Sequence, residues 1–259
     1  MRHASQPYGD GVCTVLLRFR PGARWPVLLG AVRDEFVDRA WDGPARHWPA
    51  PWDGLVGGQD RRAGGTWLAV DPRRPAIAAL LNGPRRDPPP ADEPRPTRGQ
   101  LALRLLVEGD VPEGEELAPY DRFHLLLATP EQVDLWSWDA DELRHVAVDP
   151  GNHLIVNTGL DDTDDPLVPH FRPLLAAVPE PDPALGVPPA KAWGTWLELL
   201  TGDGLDPLDE RALVVRRPIE DRTYGTTSAT LVALAPKGVR YDFTATPSDP
   251  SSWVELRTK

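Results

Sequence analysis

Short apolar segments recur along almost the whole chain, separated by gaps of hairpin length that hold proline or glycine. This rhythm constrains the fold more than any other feature, because such segments pair as antiparallel strands and are too short for long helices. The spacing predicts strands over 12–19, 26–32, 66–70, 76–81, 122–128, 133–138, 143–148, 154–157, 212–216, 229–234, 239–243 and 253–257. Helical periodicity is confined to 99–107, 167–178 and 190–200, the last with Trp193, Trp196, Leu197 and Leu200 on one face. Many antiparallel strands with a few helices imply two sheets covered by helices, an α+β architecture. The proline-rich run 83–97 cannot be helix or central strand, and reads as an exposed loop before the helix that begins near Arg98. A second such run, 178–189, separates two helical segments.

The first hairpin has a predictable register. Pairing Phe19 with Val27 sets Leu17 opposite Leu29, Val15 opposite Ala31 and Cys13 opposite Arg33. Every pair on that face is apolar until the last, where a thiol meets a guanidinium. A slip of one residue would carry Arg18 and Arg20 to the apolar side, which disfavours it. The strand then ends in three charged residues, Arg33-Asp34-Glu35. Such a cluster is ordinarily a solvated or salt-bridged corner. Opposite a cysteine it has a second reading, since an adjacent cation favours the thiolate and a carboxylate can hold an amine or the arginine in place.

Charge and cysteine content exclude several classes. The net charge of −11 leaves no basic excess to displace counterions from phosphates, so no nucleic-acid partner is expected. A single cysteine forms neither an internal disulfide nor a cysteine-based zinc cluster, and fits a reducing, cytoplasmic location. The amino terminus has no apolar signal region, and the longest apolar runs fall far short of the ~20 residues that span a bilayer. No integral membrane segment is expected. The ten tryptophans are many for this length and are expected in the core or along a groove wall.

Other motifs read as structural. The run Asp161-Asp162-Thr163-Asp164-Asp165-Pro166 lacks the EF-hand spacing, and its acids and proline open the helix that follows. The six histidines show neither HExxH nor close pairing, so no metal site is expected. No GxxxxGK phosphate loop is present, and Gly57-Gly58 and Gly64-Gly65 read as tight-turn glycines.

One set of segments resembles a known family. Arg33-Asp34-Glu35-Phe36, Gly57-Gly58-Gln59-Asp60 and Gly64-Gly65-Thr66-Trp67-Leu68-Ala69-Val70 are similar to the NRDE-motif family, that of the transport and Golgi organisation protein. The similarity continues through Leu81-Asn82, Arg98-Gly99, Tyr120 to Leu125, Asn157 and Tyr224-Gly225-Thr226. The resemblance implies a four-layer αββα sandwich of two mainly antiparallel sheets, N-terminal-nucleophile-hydrolase-like, over a single domain 13–259. In that class the first residue of the mature chain attacks an amide carbonyl and its own α-amine serves as base. Carried over by position, Cys13 is the nucleophile, and Arg33 and Asp34 orient the thiol and amine. Asn82 and Asn157 would then donate to the oxyanion, the alternative for each being a turn or strand-end cap.

The chain departs from the family pattern in three places. Val32 stands where the family has asparagine, Thr227 where it commonly has arginine, and twelve residues precede Cys13. A peptide nitrogen cannot act as a base. The extension 1–12 carries no strand or helix signal and is expected to be disordered or missing from the mature chain, through a start at Val12 or through cleavage; the third alternative is a retained extension and a silent site.

Two functions follow from the resemblance. One is an amidohydrolase or acyltransferase on a small-molecule or lipidic acyl amide, requiring no cofactor. The other is a non-catalytic haem or lipid/acyl-CoA carrier, with Cys13, His124, His153 or His170 as axial ligand to a haem. A purely structural or partner-binding role is the third reading.

Overall fold

The computed structural model describes residues 13–84 and 96–258. The extension 1–12 and most of the loop 83–97 lie outside the described residues.

In chain order the elements are a hairpin of β1 (Cys13–Phe19) and β2 (Val27–Phe36), then β3 (Trp41–Ala45), β4 (Val56–Asp60), β5 (Leu68–Asp71), β6 (Ala76–Asn82) and α1 (Gly99–Glu108). There follow β7 (Phe123–Ala128), β8 (Val133–Trp138), β9 (Leu143–Ala147), β10 (Gly151–Val156), β11 (Gly159–Leu160) and α2 (Leu167–Ala177). The chain closes with α3 (Pro189–Trp193), α4 (Thr195–Leu200), β12 (Arg216–Ile219), β13 (Arg222–Ala235), β14 (Gly238–Thr244) and β15 (Val254–Glu255). Among the described residues these strands make two sheets, both antiparallel. The first runs β11-β10-β1-β2-β13-β14-β15 with β12 on β13, and the second runs β3 to β9 in sequence order.

The sheets pack face to face. Val15, Leu17, Leu29 and Val232 of the first sheet meet Val70, Ile77, Leu81 and Leu126 of the second in one core. The alternate residues of the first sheet, among them Leu16, Leu28, Val32 and Leu231, face α2, α3 and α4. On the far side α1 covers the outer face of the second sheet through Leu101, Leu105 and Leu106. The result is the four-layer αββα sandwich the sequence implies, with no described helix long and apolar enough to cross a membrane.

The first hairpin has the expected register, with Phe19 opposite Val27 and Cys13 opposite Arg33. The reason is not the one the pattern suggested. Both faces of β1 are buried, and Arg18 is only 1% exposed. Its guanidinium donates to the carbonyls of Leu175 (2.5 Å) and Val178 (2.9 Å) and to Asn152 Oδ1 (2.8 Å). Arg18 therefore caps the carboxyl end of α2, where unpaired carbonyls and the helix dipole favour a cation.

Other differences have local causes. β2 continues through Arg33-Asp34-Glu35 because β13 pairs along its whole length and supplies partners for the charges. The predicted helix 190–200 is two short helices, broken at Gly194 (φ 52°), yet its four apolar residues are all buried. β3 and β4 were not predicted, since WDGPA and VGGQD carry glycine and proline in place of β-formers. The strand expected over 212–216 lies instead at β12. The acidic run 161–166 does open α2: Asp165 Oδ1 accepts from the amide of Leu167 at 3.0 Å.

Candidate active site

The core between the sheets ends at a polar row. On the inner face, Cys13 of β1 lies opposite Arg33 of β2, and Arg33 lies opposite Ser228 of β13. The pairing of β2 with β13 slips between Thr226 and Ser228, leaving Thr227 as the extra residue of a bulge. That bulge lets two adjacent threonines serve two adjacent charges. Thr226 Oγ1 donates to Asp34 Oδ1 at 2.6 Å, while Thr227 Oγ1 accepts from Arg33 Nη1 at 2.9 Å.

Arg33 is 4% exposed, and its guanidinium lies over Trp67 at 4.5 Å, with Trp41 at 5.9 Å. Two acids stand nearby, Asp60 at 3.6 Å and Glu35 at 4.0 Å. Both are also bridged by Arg39, at 2.6 Å to Asp60 and 3.5 Å to Glu35. Asp60 is fixed in turn by the amides of Arg62 and Ala63, each at 2.9 Å. Arg33, Glu35, Arg39, Asp60 and Trp67 line a cleft of about 290 Å3 together with Cys13, Asp34, Thr66, Leu80, Asn82 and the start of α1 at Arg98 and Gly99. Gly65 and Gly99 form its floor so closely that a Cβ on Gly65 would lie 2.4 Å from the Gly99 carbonyl carbon.

The electrostatics follow from burial. Removal from water pushes the amide-linked Cys13 thiol up to about 12, and the Asp34 charge adds to this; Arg33 and the Asp34 backbone N–H oppose it without prevailing. Burial also raises Asp34 to about 7, against the Thr226 hydrogen bond and the charges of Arg217 and Arg33. In the unfolded chain an aspartate ionises near ~4. Folding therefore takes up a proton between about 4 and about 7, and the contribution of Asp34 to stability falls as pH rises through that window. Asp34→Asn, which keeps an acceptor for Thr226, is expected to remove this fall. Urea midpoints at pH 4 and pH 8 should show the variant gaining on the parent by a few kcal/mol (order of magnitude) at the higher pH. Parallel midpoints at both values would contradict the assignment.

The structure brings Cys13, Arg33, Asp34 and Asn82 to one cleft and sets Asn157 behind it. Asn157 follows β10 and donates its Nδ2 to the carbonyl of Asn82 at 2.7 Å, so it ties the first sheet to the end of β6. Its own carbonyl accepts from His124 Nε2 at 2.9 Å, while His124 Nδ1 meets Ser137 Oγ at 2.7 Å. Burial lowers the pKa of His124, which keeps the ring neutral. With both nitrogens engaged, His124 is a structural tie. His153 likewise binds Asp161 and the Asp149 carbonyl, and His170 binds Asp203 at 2.6 Å. None of these three histidines lines the cleft with Cys13. Among the described residues no group of three or more His, Cys, Asp or Glu is placed to hold a metal ion.

Sequence reasoning quoted Asp60, Trp67 and Thr226 only as parts of motifs, and it missed Arg39 and Trp41. The departure at Val32 is local: that side chain packs on the helical side of the first sheet, 2% exposed and away from Cys13.

Fold and site define a class: an α+β sandwich protein with a single cysteine lining an inter-sheet cleft walled by charge. A family model, Transport and Golgi organisation 2, matches residues 12–180, more than half of the chain, and the protein belongs to that family. No curated protein matches the chain.

Proposed function

We propose that the protein is an N-terminal-nucleophile amidohydrolase or acyltransferase in which Cys13, as the first residue of the mature chain, attacks a small polar amide. On this reading residues 13–259 form the working domain and residues 1–12 are absent from the mature protein. One observation carries it: the chain's only cysteine ends the inner-face row of β1, opposite a buried arginine and open to a cleft.

The α-amine of Cys13 takes the thiol proton, directly or through a water molecule, and the sulfur attacks the carbonyl carbon. Asn82, across the cleft on the second sheet, donates to the oxygen as it gains charge. Asn157 holds the Asn82 backbone in place from behind. The ammonium returns the proton to the departing amine as the C–N bond breaks, leaving a thioester. Water, or an acceptor nucleophile, then takes the acyl group and restores the thiol. Arg33 favours the thiolate, and Asp34 orients the Cys13 end of β1.

The substrate class follows from the walls. At ~30 Å3 for each water-sized group, the cleft holds roughly ten of them. Arg33, Asp34, Glu35, Arg39, Asp60 and Arg98 outnumber the apolar Ala63, Trp67, Leu80 and Pro96 around it. These dimensions and charges suit a short acyl amide better than a long lipid chain. A chain beginning at Cys13 is expected to hydrolyse short polar amides in preference to long-chain ones. Cys13→Ala should lower that turnover on the order of 10³-fold or more. No turnover from a preparation with a verified free Cys13 amine would sink the proposal.

A further inference from the structure

Arg33 has competing attractions. Asp60 and Glu35 stand at 3.6 and 4.0 Å from its Nη2, on the side of Arg39, while Cys13 is its neighbour across the hairpin. Left to charge alone, a mobile guanidinium would close on the two carboxylates, because ion pairs strengthen as the distance falls. Two contacts oppose this: Thr227 Oγ1, which accepts from Nη1 at 2.9 Å, and the indole of Trp67, over which the guanidinium lies at 4.5 Å. The indole is itself fixed. Trp41 meets it edge-on at 5.8 Å and 83°, and Trp41 in turn meets Phe243 of the first sheet at 6.0 Å. Against Gly58 the ring packs so closely that a Cβ there would come within 2.2 Å of it. No side chain fits at position 58 while Trp67 keeps this pose.

We propose that Trp67 is a positioning residue whose indole face keeps the Arg33 guanidinium from closing further on Asp60 and Glu35, so that its charge stays available to Cys13, its partner across the hairpin, and that Gly58 is the socket that allows it. The inference rests on Cys13 as the reactive group, but its test reads the thiol itself and does not depend on amide turnover. Because Cys13 is the only cysteine, alkylation of the full-length chain reports a single site.

The experiment measures the rate of iodoacetamide labelling of the full chain as a function of pH, by intact mass. Trp67→Leu is expected to label about threefold more slowly than the parent at each pH below the thiol midpoint, equivalent to about one unit of upward shift less the gain in nucleophilicity that goes with it. Trp67→Phe, which keeps an aromatic face, should label at nearly the parent's rate, within about 1.5-fold. In an Arg33→Met background Trp67→Leu should have no further effect, since its influence passes through the arginine. A merely structural role predicts the opposite sign: loosening the site relieves the burial that suppresses the thiolate and speeds labelling. Labelling of Trp67→Leu as fast as the parent or faster overturns the proposal. Should that variant fail to fold by circular dichroism, Gly58→Ala, which displaces the indole without removing it, decides by the same criterion.

Discussion

A chain that begins at Cys13 is expected to be alkylated at pH 8 on the order of twentyfold faster than the same chain carrying residues 1–12. In the amide-linked chain burial holds the thiol up at about 12, so only about one molecule in ten thousand is thiolate at that pH. A protonated α-amine about 4 Å from the sulfur contributes roughly 4 kcal/mol at an effective dielectric of about 20, or about three pKa units. An α-amine is only about half protonated at pH 8, so the thiolate fraction rises several hundredfold. A less basic thiolate is also a weaker nucleophile, which takes back between one and two powers of ten. Labelling rates of the two chains measured side by side test this. Equal rates would mean that the free amine does not act on the sulfur, and the base in the proposed mechanism would be lost.

The largest stability effect is expected far from the cleft. Arg240 and Asp242 on β14 are both 0% exposed and are paired through Nε at 2.6 Å and Nη2 at 2.9 Å. Asp242 also accepts from Trp193 Nε1 of α3 at 2.7 Å, and Arg240 donates to the carbonyls of Ala184 and Val187. The pair thus fastens the proline-rich stretch 178–189 and α3 onto the first sheet. Burial raises the pKa of Asp242, against the hydrogen bonds from Arg240 and Trp193. Asp242→Ala leaves an indole N–H without its acceptor and a buried guanidinium with Glu255, at 3.6 Å, as its remaining carboxylate, and is expected to cost about 3 kcal/mol. For a chain of this size that corresponds to a fall in Tm of roughly 10 °C. Replacing both residues, as Arg240→Met with Asp242→Leu, should recover much of the loss because no charge is then stranded. A single variant that melts with the parent would show that the pair contributes little.

The strand-rich architecture and the first hairpin were legible in the sequence because they depend on neighbours close along the chain. Alternation and a short turn are enough to set Cys13 opposite Arg33. The hairpin also shows how a correct register can rest on an incomplete reason: the pattern only keeps Arg18 off the apolar face of the hairpin, whereas Arg18 is itself buried, as a cap for α2 more than a hundred residues away. β3, an edge strand with glycine and proline, and β4, a glycine-rich strand beside it, escaped notice because they are held by the sheet more than by their own propensity. Gly194 splits a helix whose periodicity is otherwise continuous.

Within the cleft the limits are again those of distance along the chain. Cys13, Arg33, Asp34 and Asn82 were marked by the family resemblance, which also marked Asn157. That asparagine's Nδ2 is engaged by the Asn82 carbonyl, a contact between two sheets that no local pattern encodes. The contacts that fix Arg33 come from Trp67, Asp60 and Thr227 on three separate strands or turns. Only folding brings them together.

The central claim is that Cys13 opens the mature chain and carries the acyl group. Intact mass of the protein purified from its native host and quenched in acid during turnover of a short acyl amide tests this most directly. The predicted species begins at Cys13 and is heavier by the acyl group, with the added mass on its amino-terminal peptide. A chain that retains residues 1–12 and acquires no acyl mass would contradict it.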